Sequence, residues 1–132
     1  TETVRAFMIK CDRFIFKAPQ LRADPITEEQ VKVAFRKGGK SAAGMDSWEP
    51  EELALLSNLA CNWTAKLYQL IEAGAEWPKG TQSAKAAFLE KEGAQPGEVM
   101  SYRVLLIMSA LYRKWASIRL RMLDGWVNQW DL

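Results

Sequence analysis

The sequence predicts an α+β protein, mostly helical, with a small antiparallel sheet of two or three strands. Three observations carry that expectation. Thr27-Glu28-Glu29-Gln30 spells a capping box ahead of Val31, Ala34 and Phe35. Leu53, Leu56, Ala60, Trp63, Leu67 and Leu70 follow one another at spacings of three and four, a helical stripe. Residues 83–91, "SAKAAFLEK", form a short apolar run bounded by turn residues, which suits a strand better than a turn of helix.

Residues 1–18 mix apolar and basic types, and only "RFIFK", with Phe14 and Phe16 alternating, hints at a strand. Residues 1–24 therefore read as an irregular lead-in to a single domain that fills the chain. "APQLRADP" connects to a helix from about Glu28 to Lys37, stopped by Gly38 and Gly39. After "KSAAGMDSW", Asp46 or Ser47 is placed to cap the next helix, and Pro50 is tolerated in its first turn because the missing N–H has no partner there anyway. That helix should run from Glu51 to Ala73, with a break near Asn58 or Asn62, and end at Gly74 and Trp77-Pro78. "EGAQPGEVM" reads as a loop. The last helix, Met108 to Leu123, gathers Met108, Leu111, Trp115, Ile118 and Met122 within an arc of about 80°, with Arg113, Lys114, Ser117 and Arg121 opposite.

Composition excludes several function classes. The 132 residues are 48% apolar, enough for a real core, so the chain is not intrinsically disordered. A net charge of +2 draws nucleic acid only weakly, so any basic surface must come from local clustering. With no histidine and only Cys11 and Cys61, zinc motifs and Ser-His or Cys-His nucleophile pairs are ruled out. Two buried free thiols are expected, in an intracellular (nuclear or cytoplasmic) compartment, although one disulfide fits too. No apolar run reaches the roughly 18 residues of a membrane span, so no membrane partner is expected. The first residue is Thr1, which suggests a chain cut from something longer.

Gly39-Lys40-Ser41 has the ending of a phosphate-binding loop. Ala34 stands where the first glycine of that pattern belongs, and a helix precedes the loop where the pattern needs a strand. Both context tests fail. No carboxylate pair has a metal-holding spacing, so no metal or catalytic residue is assigned. The basic residues say more: Lys85 and Lys91 flank the 83–91 strand, Arg103 follows Tyr102, and Arg113, Lys114, Arg119 and Arg121 load the last helix. For the helix charges, a solvated face opposite the core stripe is the favoured reading.

In order, "GKSAAGMDSWEPEEL", "WPKGTQSAKAAFLEKEG" and "SYRVLLIMSALYRKWASIRLRML" resemble the amino-terminal half of reverse transcriptases of the non-LTR retroelement and group II intron type. In that family a Lys-x-x-Gly-x-Asp-Gly loop enters a helix. A Trp-Pro or Phe-Pro pair then leads to Ala-Lys, a strand and Pro-Lys-Lys-Gly, and a Tyr-Arg-Pro-Ile segment opens a long basic helix. The resemblance covers about residues 25–130 and implies the fingers region of an RNA-directed DNA polymerase. Lys40, Ser41 and Gly44 then become template contacts, with Gly44 turning the loop and Asp46 capping. Lys91 and Arg103 become the cations on the triphosphate of the incoming nucleotide, an ammonium and a guanidinium suited to phosphate oxygens.

The departures are Glu90 in place of proline, Glu92 in place of a second lysine, and Val104 in place of the second proline. Two carboxylates beside Lys91 would repel a triphosphate. The family's palm aspartates and their magnesium lie beyond the region of resemblance, so no cofactor is expected on this chain alone, and no catalysis. The expected partners are an RNA template or primer–template, the missing palm domain and a second copy of the chain, held through Trp115, Ile118, Trp126 and Trp130. The competing expectation is a helical interaction or self-assembly module with no affinity for nucleic acid.

Overall fold

A computed structural model describes residues 2–12, 19–37, 39–93, 95 and 97–130. Helix α1 (Glu2–Cys11), exposed from Thr3 to Lys10, lies in the stretch read from sequence as irregular. The "RFIFK" alternation falls outside the described residues. Helix α2 (Glu28–Arg36) starts as its sequence requires: Thr27 accepts from the Gln30 N–H at 3.3 Å, and Gln30 Oε1 accepts from the Thr27 N–H at 2.9 Å.

The predicted 51–73 helix is two helices. The short α3 (Pro50–Leu53) is followed by four non-helical residues, and Ser57 caps α4 (Asn58–Glu72). The cap of α3 is Glu49, with Glu52 Oε2 accepting from its N–H at 2.8 Å. Neither Asp46 nor Ser47 plays that part. Helix α4 ends where expected: the Ala75 N–H reaches the Leu70 carbonyl and the Gly74 N–H the Ile71 carbonyl, a Schellman closure that holds Gly74 at φ +108°.

The sheet is one antiparallel hairpin, β1 (Lys85–Glu90) with β2 (Tyr102–Ile107), in register Lys85↔Ile107 through Glu90↔Tyr102. Helix α5 (Ala110–Val127) follows directly, capped by Ser109. The architecture is thus mostly helical α+β, as the sequence predicts.

The core is the seam of α2, α4 and α5. Ile26, Val31, Ala34, Phe35, Leu53, Cys61, Ala65, Tyr68, Ala110 and Ile118 are buried in it. Helix α4 turns in the face that carries Cys61, Ala65 and Tyr68, not the larger residues of its predicted stripe. Trp63 and Leu70 are 62% and 60% exposed and lie about 180° around the helix from that face at 100° per residue. Small residues let α2 approach closely. Two polar ties then fix the orientation, from Asn62 to the Glu28 carboxylate at 2.9 Å and from Gln69 to the Ile26 carbonyl at 2.7 Å.

Helix α5 also departs from its predicted division into an apolar and a solvated face. Ala110, Lys114 and Ile118 are all buried, and Trp115 packs into an aromatic group with Tyr68, Trp77 and Tyr112. Trp115 and Ile118 are therefore covered within the chain. Trp126 is half-buried, donating to the Pro19 carbonyl at 2.6 Å and stacking edge-on against Trp130 at 4.7 Å. Both cysteines are free: Cys61 is in the core, where burial raises its thiol pKa, and Cys11 is only half-buried. No described helix is long and apolar enough to cross a membrane.

Candidate nucleic-acid interface

The site residues singled out in the three sequence motifs fall in two places, at opposite ends of the hairpin. The first is the loop between α2 and α3. Gly44 lies against the entrance to α5, where an added Cβ would fall 2.8 Å from the Met108 carbonyl and the Ser109 nitrogen. Glycine is needed here for close approach, not for a turn. Asp46, expected as a helix cap, instead accepts from the Ser109 hydroxyl at 2.6 Å, so its carboxylate backs the N-terminus of α5 and meets the positive end of that helix dipole.

Farther along α5, Arg113 forks onto the same loop, donating to Ser41 Oγ at 2.8 Å and to the Ala42 carbonyl at 2.7 Å. The loop is thereby pinned at Ser41, Ala42, Gly44 and Asp46. Lys40 stands exposed beside these anchors, with no hydrogen-bond partner among the described residues.

The second group is at the far end of the hairpin. The register pairs Leu89 with Arg103, and the Lys91 N–H extends the ladder to the Ser101 carbonyl at 2.8 Å. Opposed residues of an antiparallel pair share a face, and so do residues two apart, so Lys91 and Arg103 project from one face of the sheet as diagonal neighbours. The Arg103 guanidinium is exposed, with no partner among the described residues. One donor of the Lys91 ammonium is used, bonding the Met100 carbonyl at 2.7 Å. Of the two neighbouring carboxylates, Glu90 opposes Tyr102 on the other face, which weakens its repulsion of an anion held by Lys91. From Arg103 to Met108, where the loop rests, is about 16 Å along the strand. The two groups therefore do not converge on a single pocket.

Part of this arrangement escaped the sequence. Arg113 and Lys114 read as solvated charges, yet one straps the loop and the other, 7% exposed, donates to the Ala34 carbonyl at 2.9 Å. Ser109 had a visible signal, a serine directly ahead of a helical run. Its pairing with Asp46 had none. Among the described residues, no group of three or more His, Cys, Asp or Glu side chains is gathered to hold a metal.

No family model matches the chain. Over 92 residues, 69% of its length, it is 32% identical to the RNA-directed DNA polymerase from mobile element jockey of Drosophila funebris. The chain is similar to part of a retroelement polymerase. That part is small: the chain spans about a tenth of the length of the jockey polymerase, and at this identity the two are distant relatives.

Proposed function

We propose that the chain serves as the fingers-type region of a non-LTR RNA-directed DNA polymerase. The pinned 39–49 loop would lie along template through Lys40 and Ser41, with Gly44 holding the loop to α5. Lys91 and Arg103 would hold the phosphates of an incoming nucleotide. The observation that carries this reading is the hairpin register, which gives an exposed guanidinium and an ammonium one shared face. The kinship with the jockey polymerase adds the chemistry such a face would serve.

Catalysis is not assigned to these residues. In this reading the magnesium and the carboxylates that hold it belong to a palm domain outside the chain.

Fluorescence anisotropy of a labelled RNA tests the proposal. Binding should weaken steeply between about 50 and 200 mM salt as counterions are released. Arg103→Ala and Lys40→Ala should each reduce affinity and flatten the salt slope by about one unit. Salt-insensitive behaviour without RNA affinity would instead favour the second reading, a self-assembly module. Leu59, Trp63 and Leu70 favour that module, because all three are exposed on the outer face of α4.

A further inference from the structure

A further basic site adjoins the 39–49 loop, between the carboxyl end of α2 and the first half of α5. A cavity of about 220 Å³ opens there, bounded by Lys37, Ser41, Arg113, Lys114, Ser117 and Arg121 above a floor of Ala34, Pro50 and Ala110. Four of those side chains are cations and none is a carboxylate. We propose that this cavity binds a phosphate group, carried either by a nucleic-acid backbone or by a small free phosphate.

Lys114 is the most deeply buried cation at this cavity. A lysine that is 7% exposed is normally neutralised by a carboxylate, because a buried unpaired charge is costly. Among the described residues its ammonium bonds only the Ala34 carbonyl, which leaves two of its three donors without an acceptor there. The nearest charges make matters worse. Burial holds the Lys114 pKa below its ordinary value, and the charges of Arg113 and Arg121 depress it further. The carboxyl end of α2 offers only about half a negative charge.

Arg113 adds a second unmet donor, since its Nε is buried and has no acceptor among the described residues. Ser41 and the exposed Arg121 add donors around the opening, while the Ser117 hydroxyl, which also lines it, donates to the Lys114 carbonyl at 2.8 Å. An anion entering it would gain charge-assisted hydrogen bonds above an apolar floor, where such bonds are stronger than in water. At about 30 Å³ per water the space suffices for a phosphate with its first waters. This inference shares Ser41 with the proposed template loop, but it does not rest on the triphosphate reading, because it uses neither Lys91 nor Arg103.

Nuclear magnetic resonance on the whole 15.0 kDa chain tests it site by site. Inorganic phosphate is titrated into nitrogen-15-labelled protein, and the arginine Nε–H signals and the backbone amides of 34–41 and 110–121 are followed. Those signals should shift saturably, and the Arg113 Nε–H among the most. The Lys37→Gln Arg121→Gln double variant alters exposed positions only and should weaken binding by about tenfold or more. Lys114→Met should abolish it, with the dispersion of the same spectrum reporting whether that variant is folded.

Signals that do not saturate, or a double variant that binds phosphate as well as the wild type, would overturn the proposal. Hairpin signals are read separately in the same spectra, so failure at this cavity is distinguishable from failure of the hairpin site. Addition of a short oligouridylate then separates the two sources. Displacement of phosphate at the cavity signals assigns the site to backbone phosphates, whereas independent binding assigns it to a small free anion.

Discussion

The helical body and the hairpin differ in what covers their apolar residues. Among the described residues, every buried apolar side chain of the core belongs to 26–68 or 110–118, so the hairpin contributes none. In β1 and β2, Phe88, Leu89, Val104, Leu105 and Leu106 are between 46% and 66% exposed, and they occupy both faces of the sheet. A two-stranded ribbon with no covering layer is only marginally stable in water. The body supplies the fold, and the hairpin presents residues. The candidate triphosphate cations thus sit on the unit with the least packing to hold it, as ligand-binding elements generally do.

The same substitution made in both regions puts that contrast to the test. Phe35→Ala empties a site that is 1% exposed and should cost about 3–5 kcal/mol in a denaturant titration. Phe88→Ala, at a ring 65% exposed, should stay within about 0.5 kcal/mol of wild type. Equal costs would mean that the hairpin is part of the core after all.

Gly44→Ala sharpens the boundary between the regions. The new methyl would press on backbone at Met108 and Ser109, just where β2 gives way to α5, and backbone cannot swing aside as a side chain would. A loss of about 1–3 kcal/mol is expected, with reduced RNA affinity as the loop lifts.

A smaller effect comes from the tie between α4 and α5. The Glu72 carboxylate accepts a forked pair of bonds from Arg119 and a third from the Trp115 indole at 2.8 Å. The Arg119 bond is the main cause holding its pKa below the ordinary 4.5, against a smaller opposing contribution from burial. A depressed carboxylate stabilises the fold above its ordinary pKa, and the contribution disappears as pH falls through the folded value. Glu72→Gln should therefore cost about 1 kcal/mol at neutral pH, a figure kept low because the pair is partly solvated. Wild type and variant should converge in acid. A gap unchanged at low pH would mean that packing, not charge, makes the tie.

Legibility followed the range of the interactions. The Thr27 cap and the Gly74 stop were written in residues three to five apart, and both formed as read. The strand at 85–90 was marked by its turn residues. The inward face of α4 was not legible. Both of its faces are apolar, and the choice went to Cys61 and Ala65, whose smallness matters only when α2 is beside them. Lys114 looked solvated because its acceptor, Ala34, is 80 residues away, and Asp46 looked like a cap because Ser109 is 63 away. For the candidate site, the motifs gave the identities of Lys91 and Arg103. Their common face needed the register. Helix α1 carried no cap or stripe strong enough to be read.

The most direct measurement is a titration with a deoxynucleoside triphosphate, following the Arg103 Nε–H and the Lys91 amide in the same spectra. Both should move along one binding curve, and Arg103→Ala should remove the response at Lys91. If either signal stays still, or if the two follow unrelated curves, the two cations do not share a phosphate and the hairpin reading is contradicted.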